Sequence, residues 1–188
     1  METTRRRMLQ AVGTGALAFP LAGGVAWLTP QQARARAVSF QVLSPDQARV
    51  MAAVGEALLP GADEAGIAHY VDANLAAAPE QATLMIRYLD IPPPFGPIYQ
   101  AGLDAIDAAA RDETADGRGF SDLAPDEAAQ MIARLAQGDV KPWSAPPFQG
   151  AFYFAWRADA VDATYGTIDG FSRLGIPYMP HIAPEQGW

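Results

Sequence analysis

The chain has 188 residues, half of them hydrophobic and only 18% charged, with a formal net charge of −8 and no cysteine. That length suits one domain plus a leader, and so much apolar content with so little charge argues against a disordered chain. The lack of thiols excludes disulfides, thiolate-held iron–sulfur clusters and covalent c-type haem; residues 35–188, with nine basic and 20 acidic side chains, net −11, repel phosphate backbones and argue against nucleic-acid binding.

Thr4-Arg5-Arg6-Arg7-Met8-Leu9-Gln10 matches the twin-arginine export pattern, with Arg5 and Arg6 followed by the apolar Met8 and Leu9. An apolar stretch rich in Gly and Ala runs on to about Leu28, and Ala33-Arg34-Ala35 and Ala35-Arg36-Ala37 are small-x-small peptidase sites. Residues 1–37 therefore read as a twin-arginine signal peptide and 38–188 as the folded domain. The alternative for the leader is a retained anchor, since the stretch is about long enough to cross ~30 Å of hydrocarbon. The expected location is the periplasm, at the outer face of the inner membrane. Gly13-x-Gly15-x-x-Ala18 imitates a dinucleotide fingerprint, but arginines precede it where a strand is needed and no acidic residue lies in Thr29–Arg36. The twin-arginine route carries proteins that have already folded, as cofactor insertion in the cytoplasm demands. No cofactor motif stands in this chain, which points to a cofactor held by a partner that travels with it.

The domain reads as an all-α bundle of about six helices. Ser44-Pro45-Asp46-Gln47 is a helix start, with Ser44 as cap, Pro45 in the first turn and Gln47 closing a capping box. Val50, Met51, Val54, Ala57 and Leu58 follow at helical spacing, and Pro60-Gly61 stops the run. Further helices are expected over about 63–77, 79–89, 98–111, 125–137 and 148–163, with the proline-rich Ile91–Pro97 as a rigid connector and Asp112–Gly119 as a polar loop. The sixth helix is the most aromatic part of the chain, holding Phe148, Phe152, Tyr153, Phe154 and Trp156. Tyr165–Trp188 is a tail rich in Gly, Pro and aromatics without clear period, suited to wrapping the domain or reaching a partner.

Candidate chemistry is sparse. His69 and Asp72 share one face of the second helix, but they supply two ligands where a metal site takes three or four, and an exposed helical pair is the expectation. His181 falls in a proline turn, and none of the serines lies in Gly-x-Ser-x-Gly. No catalytic, cofactor-binding or metal residue is assigned. Aromatics and arginine dominate protein interfaces. The aromatic run from Trp143 to Trp156 and the tail are therefore the candidate binding elements, with completion of the domain's own core as the competing role. The interface candidates are Tyr165, Gly166, Phe171, Arg173 and Tyr178.

Several segments resemble the small subunit (subunit 3, or gamma chain) of gluconate 2-dehydrogenase and related sugar dehydrogenases. Beside the leader, they are Leu58-Leu59-Pro60-Gly61-Ala62-Asp63-Glu64-Ala65-Gly66-Ile67 with Tyr70-Val71-Asp72, the Phe120 to Glu127 helix start, and Tyr165-Gly166, Asp169-Gly170, Leu174-Gly175-x-Pro177 and Gly187-Trp188. The family's usual Tyr-Gly-Gly-Asn reads Tyr165-Gly166-Thr167-Ile168 here. The resemblance implies a subunit with no cofactor of its own. It would accompany a large flavoprotein that holds FAD and oxidises the substrate, while a multihaem cytochrome c subunit passes electrons on. The small subunit would aid export and maturation of the flavoprotein, with membrane association indirect or through an uncleaved leader. A stand-alone periplasmic small-molecule-binding protein, its pocket lined between Trp143 and Tyr165, is the alternative, and a small enzyme with an unfamiliar site is the third reading.

Overall fold

The structure, a computed structural model, describes residues 15–21 and 24–175. Arg5, Arg6, Met8 and Leu9 of the export pattern, and Tyr178 and His181 of the tail, lie outside the described residues. Helices dominate, and the one sheet among the described residues is a two-stranded antiparallel hairpin of β1 (Leu17–Leu21) and β2 (Gly24–Leu28), with Phe19 opposite Ala26.

That hairpin and the short helix α1 (Pro30–Ala35) fall within the segment expected as a leader. Thr29 and Gln32 close a capping box on α1, and Pro30 occupies its first turn. Phe19, Leu28, Ala33 and Val38 form a small apolar cluster with Ala73. The alternation in Leu17–Leu21, one buried Phe among exposed neighbours, is too short to stand out as a strand in an Ala- and Gly-rich sequence.

The sequence-read start of the next helix holds. In α2 (Pro45–Leu58) the Ser44 hydroxyl accepts the Gln47 amide (3.2 Å), and the Gln47 side chain accepts the Ser44 amide (3.0 Å). The expected second helix is broken into α3 (Ala62–Ala65) and α4 (Ile67–Ala76). Gly66 between them sits at φ +86°, and a Cβ there would lie 2.3 Å from the Pro30 carbonyl oxygen. Only glycine meets both demands. The break is therefore the imprint of α1 lying on the bend.

The expected third helix does not form. Residues 77–84 run as turns into one 3₁₀ turn, Met85–Tyr88. Its amides bond elsewhere: Thr83 donates to Asn74 Oδ1 (2.8 Å) and Met85 to Asp159 Oδ1 (2.9 Å). Side-chain acceptors on two other helices compete successfully with the local ladder.

Pro97 opens α5 (Gly96–Glu113). After a 3₁₀ turn, Phe120–Asp122, comes α6 (Pro125–Gln137). Ala124 at its cap has no acceptor, so only the return arm exists: Glu127 takes the Ala124 amide (2.8 Å) and also holds Arg118 (2.8 Å). The α7 helix (Gln149–Tyr165) extends two residues past the expected end, and Thr167 caps a short α8 (Ile168–Arg173) inside the expected irregular tail.

Helix α7 is the centre of the domain, packing against α2, α3, α4 and α6 and the Met85–Tyr88 turn. Its inner residues Phe152, Trp156 and Ala160 are buried with Met51, Leu103, Ile106, Phe120 and Leu135. Gly102 of α5 makes room for the Phe152 ring, since a Cβ there would stand 2.4 Å from it. Phe152 also meets Trp143 edge-on (5.5 Å) and Trp156 at 5.1 Å between ring centres.

Trp156 is fully buried, yet its indole N–H has no partner among the described residues. Its contribution is therefore apolar volume. Trp156→Ala should cost about 3–5 kcal/mol, whereas Trp156→Phe, which also removes the unsatisfied donor, should cost under about 2 kcal/mol. Denaturant titration followed by circular dichroism checks the ordering.

Candidate functional site

The aromatic run expected either to bind or to fill the core is divided between core and surface. Phe152 and Trp156 are core, Trp143 and Tyr153 are half-buried, and Phe148 and Phe154 face outward at 73% and 50% exposure. On α7, Phe154, Ala158 and Val161 follow at helical spacing on the side opposite the core. The helix is apolar on both sides, unlike the strongly amphipathic α6. A helix with apolar residues all round is ordinarily covered all round.

The outer side opens onto a recess of about 400 Å³ lined by Leu89, Ile91, Pro147, Phe148, Ala151 and Phe154. Phe148 is held in place from behind. Gln149 pairs with both the amide (2.9 Å) and the carbonyl (2.7 Å) of Val140, and the Trp143 indole donates to the Ala145 carbonyl (2.8 Å). With the 138–148 loop fixed by those bonds, the Phe148 ring points away from the domain. Tyr88, also well exposed, extends the apolar content of the surface and carries the Arg87 guanidinium 5.7 Å from its ring centre.

A second constellation lies deeper. Asp159 of α7, fully buried, accepts hydrogen bonds from the Tyr99 hydroxyl and the Met85 amide. Burial pushes its pKa up to about 7 against the opposing pull of those two donors. Nearby, the Tyr70 hydroxyl meets Thr83 Oγ1 (2.9 Å), which donates to Asn74 (3.0 Å). Tyr70, Asn74, Thr83 and Asp162 line a recess of about 890 Å³ whose other wall is the hairpin, through Leu17, Val25 and Trp27.

The His69–Asp72 pair is neither exposed nor poised for a metal. Both are buried. Asp72 accepts the amides of Gln41 (2.8 Å), Val42 (2.8 Å) and Leu43 (2.9 Å). The His69 Nε2–H donates to the Val38 carbonyl (3.0 Å), and burial holds the ring's pKa below its usual value, which keeps it neutral. Among the described residues, no group of three or more His, Cys, Asp or Glu is placed to hold a metal. No described helix is long and apolar enough to cross a membrane.

The tail candidates are dispersed. Tyr165 and Phe171 are half-buried and Gly166 and Arg173 exposed, at the end of α7 and on α8, on no common recess with Phe148 and Phe154. Sequence reasoning named Phe148 and Phe154 only within a longer run. Spacing would have separated them: Phe152, Trp156 and Ala160 mark one side of the helix, and Phe154 and Val161 fall on the other. Asp159 and Tyr99 were missed, and no local signal marks them, because they meet across 60 residues.

Fold and surface together define a small helical domain whose central helix serves the core on one side and offers aromatics on the other. The family model of gluconate 2-dehydrogenase subunit 3 matches residues 45–177, and the chain belongs to that family. The match spans α2 to the end of the described residues and so includes both sides of α7 and the Asp159 cluster. No curated protein and no solved structure shows significant similarity to the chain.

The raised Asp159 pKa has a definite consequence. Between about pH 4 and 7 the folded protein holds a proton that the unfolded chain has released, so stability declines as pH rises through that window. Thermal melts of wild type and Asp159→Asn across pH 4–7 should show a decline in wild type that is flattened in the variant.

Proposed function

We propose that this protein is the non-catalytic small subunit of a periplasmic, FAD-dependent gluconate or sugar dehydrogenase, and that it assists the folded export, maturation and stability of the flavoprotein. The observation that carries this reading is the aromatic outer side of α7, with Phe148 and Phe154 on one recess, in a chain whose family is named for a dehydrogenase subunit. An enzyme's own pocket would gather polar groups about an apolar cleft. This surface instead offers exposed rings around a shallow apolar recess, which suits the anchors of an interface. FAD would be held by the large partner and haem c by a further subunit, and substrate chemistry would take place on the partner. The twin-arginine pattern at Arg5 and Arg6 would then address both chains to the periplasm, because the route accepts a folded pair.

Burying two phenylalanines that start mostly exposed contributes roughly 2–4 kcal/mol, or about 30- to 1,000-fold in affinity. Phe148→Ser with Phe154→Ser should therefore abolish recovery of the flavoprotein with the tagged subunit while leaving the melting temperature close to wild type. Tyr165→Ala with Phe171→Ala is the rival pair from the tail. Loss of the partner in that variant alone would move the interface to α8. For export, replacing Arg5, Arg6 and Arg7 by Lys should leave dehydrogenase activity in the cytoplasm, measured by fractionation; normal periplasmic activity would refute co-export.

A second reading, a stand-alone protein that binds a small molecule, has one observation in its favour. The recess beneath the hairpin combines Tyr70, Asn74, Thr83 and Asp162 with the Trp27 ring, a mixture that suits a polyol. Titration of the isolated protein with gluconate and glucose, followed by calorimetry, separates the two readings: saturable heat supports a binding protein.

A further inference from the structure

Asp63 of α3, Gly66 at the bend, and His69 and Asp72 of α4, three residues apart in sequence, each meet one piece of the segment that precedes α2. The Asp63 carboxylate takes two hydrogen bonds from Arg34, at 2.9 and 2.7 Å. Gly66 receives the Pro30 carbonyl where any side chain would collide. His69 donates to Val38 (3.0 Å), and Asp72 accepts three successive amides from Gln41 to Leu43. Gln100 of α5 adds a bond to the Val42 carbonyl (2.8 Å). Asp63, Gly66, His69 and Asp72 thus each meet the segment Thr29–Leu43, which passes along α3 and α4 as a strap. The Phe40 ring packs 4.5 Å from His69, and the hairpin's Phe19 approaches the same ring at 6.3 Å.

The strap contains both small-x-small sites. A peptidase reads an extended chain and seats its small side chains in pockets. Neither site has that form. Ala33 is helical and fully buried. Ala37 is left-handed at φ +48°, its amide bonded to the Arg34 carbonyl (3.0 Å), and the Val38 amide is bonded to Ala33 (3.0 Å). Ala35, Arg36 and Ala37 are exposed, but both scissile bonds, Ala35–Arg36 and Ala37–Val38, lie in folded backbone and become substrates only after residues 33–38 unwind, which costs the Arg34 ion pair, the burial of Ala33 and Val38 and the His69 bond to Val38.

We propose that folding closes these processing sites and that Thr29–Leu43 remains in the mature protein as a structural strap, so the segment that reads as a cleavage region is part of the finished subunit. The inference stands on the folded chain. Only its cellular arm rests on the export reading.

The strap contains two trypsin sites, after Arg34 and after Arg36, which makes the purified full-length protein its own probe. In wild type, cleavage at both should be at least about tenfold slower than in Ala33→Gln, which unseats the strap from the small cluster without touching the main core, and about two- to fivefold slower than in Asp63→Ala, which removes the half-exposed Arg34 pair. Mass spectrometry identifies the bonds cut, and circular dichroism verifies that both variants keep their helices. Equal rates in wild type and variants would overturn the proposal. For the cellular arm, the intact mass of the protein recovered from the periplasmic or membrane fraction should include residues 29–43. A mature N-terminus at Arg36 or Val38 would overturn it. If fractionation finds the protein in the cytoplasm alone, the export reading fails and the trypsin comparison decides the strap by itself.

Discussion

The fold depends on the way Phe152 and Trp156 are enclosed. Both rings sit on α7, near the end of the described chain, yet they fill the space between helices made much earlier, α2 and α5 among them. Gly102 admits the Phe152 ring at a distance no larger residue permits, which fixes the register of α7 on α5. That register places Asp159 beside Tyr99 and Met85, and it turns Phe154 and Val161 outward. Core, buried carboxylate and exposed aromatics are consequences of a single packing arrangement.

The parts legible in the sequence are those governed by local chemistry. Ser44, Pro45 and Gln47 specified the start of α2 because cap, first-turn proline and return hydrogen bond all lie within four residues. The helices expected over 98–111 and 125–137 likewise appear as α5 and α6, with ends within two residues of those expected. The misplaced parts are those where distant groups intervene. The expected helix over 79–89 lost amides to Asn74 and Asp159, and the helix over 63–77 was bent to receive Pro30 from a segment read as a leader. The twin-arginine pattern, the apolar stretch and the small-x-small sites marked residues 1–37 as a leader, and nothing local indicates that Phe19, Ala33 and Val38 share a cluster with Ala73. The candidate interface was half legible. Its aromatic run was evident, but the division into inward and outward rings required the helix to be in register.

The family match and the surface bear on different levels of the same question. The match places residues 45–177 among the third subunits of gluconate 2-dehydrogenases. The surface shows where such a subunit has apolar area to give. An acidic body exposes large apolar side chains in two main places, Tyr88, Phe148, Phe154 and Val161 about α7 and Leu21, Val25 and Trp27 on the hairpin, and contacts confined to such patches would leave its charges in solvent. The strap occupies other elements, α3 and α4, so tethering the preceding chain and exposing the aromatics are separate tasks carried out by separate helices.

The position of α7 in the chain also bears on synthesis. A ribosome releases the strap, α2 and α5 well before residues 149–165, and those early helices carry apolar sides whose filling is encoded last. Until Trp156 emerges, the nascent domain has no means of closing itself and remains adhesive toward other chains. The interval between the first helix and the closing one is therefore when a chaperone would have most to shield, and a truncation that removes α7 would leave a sticky fragment in place of a smaller domain.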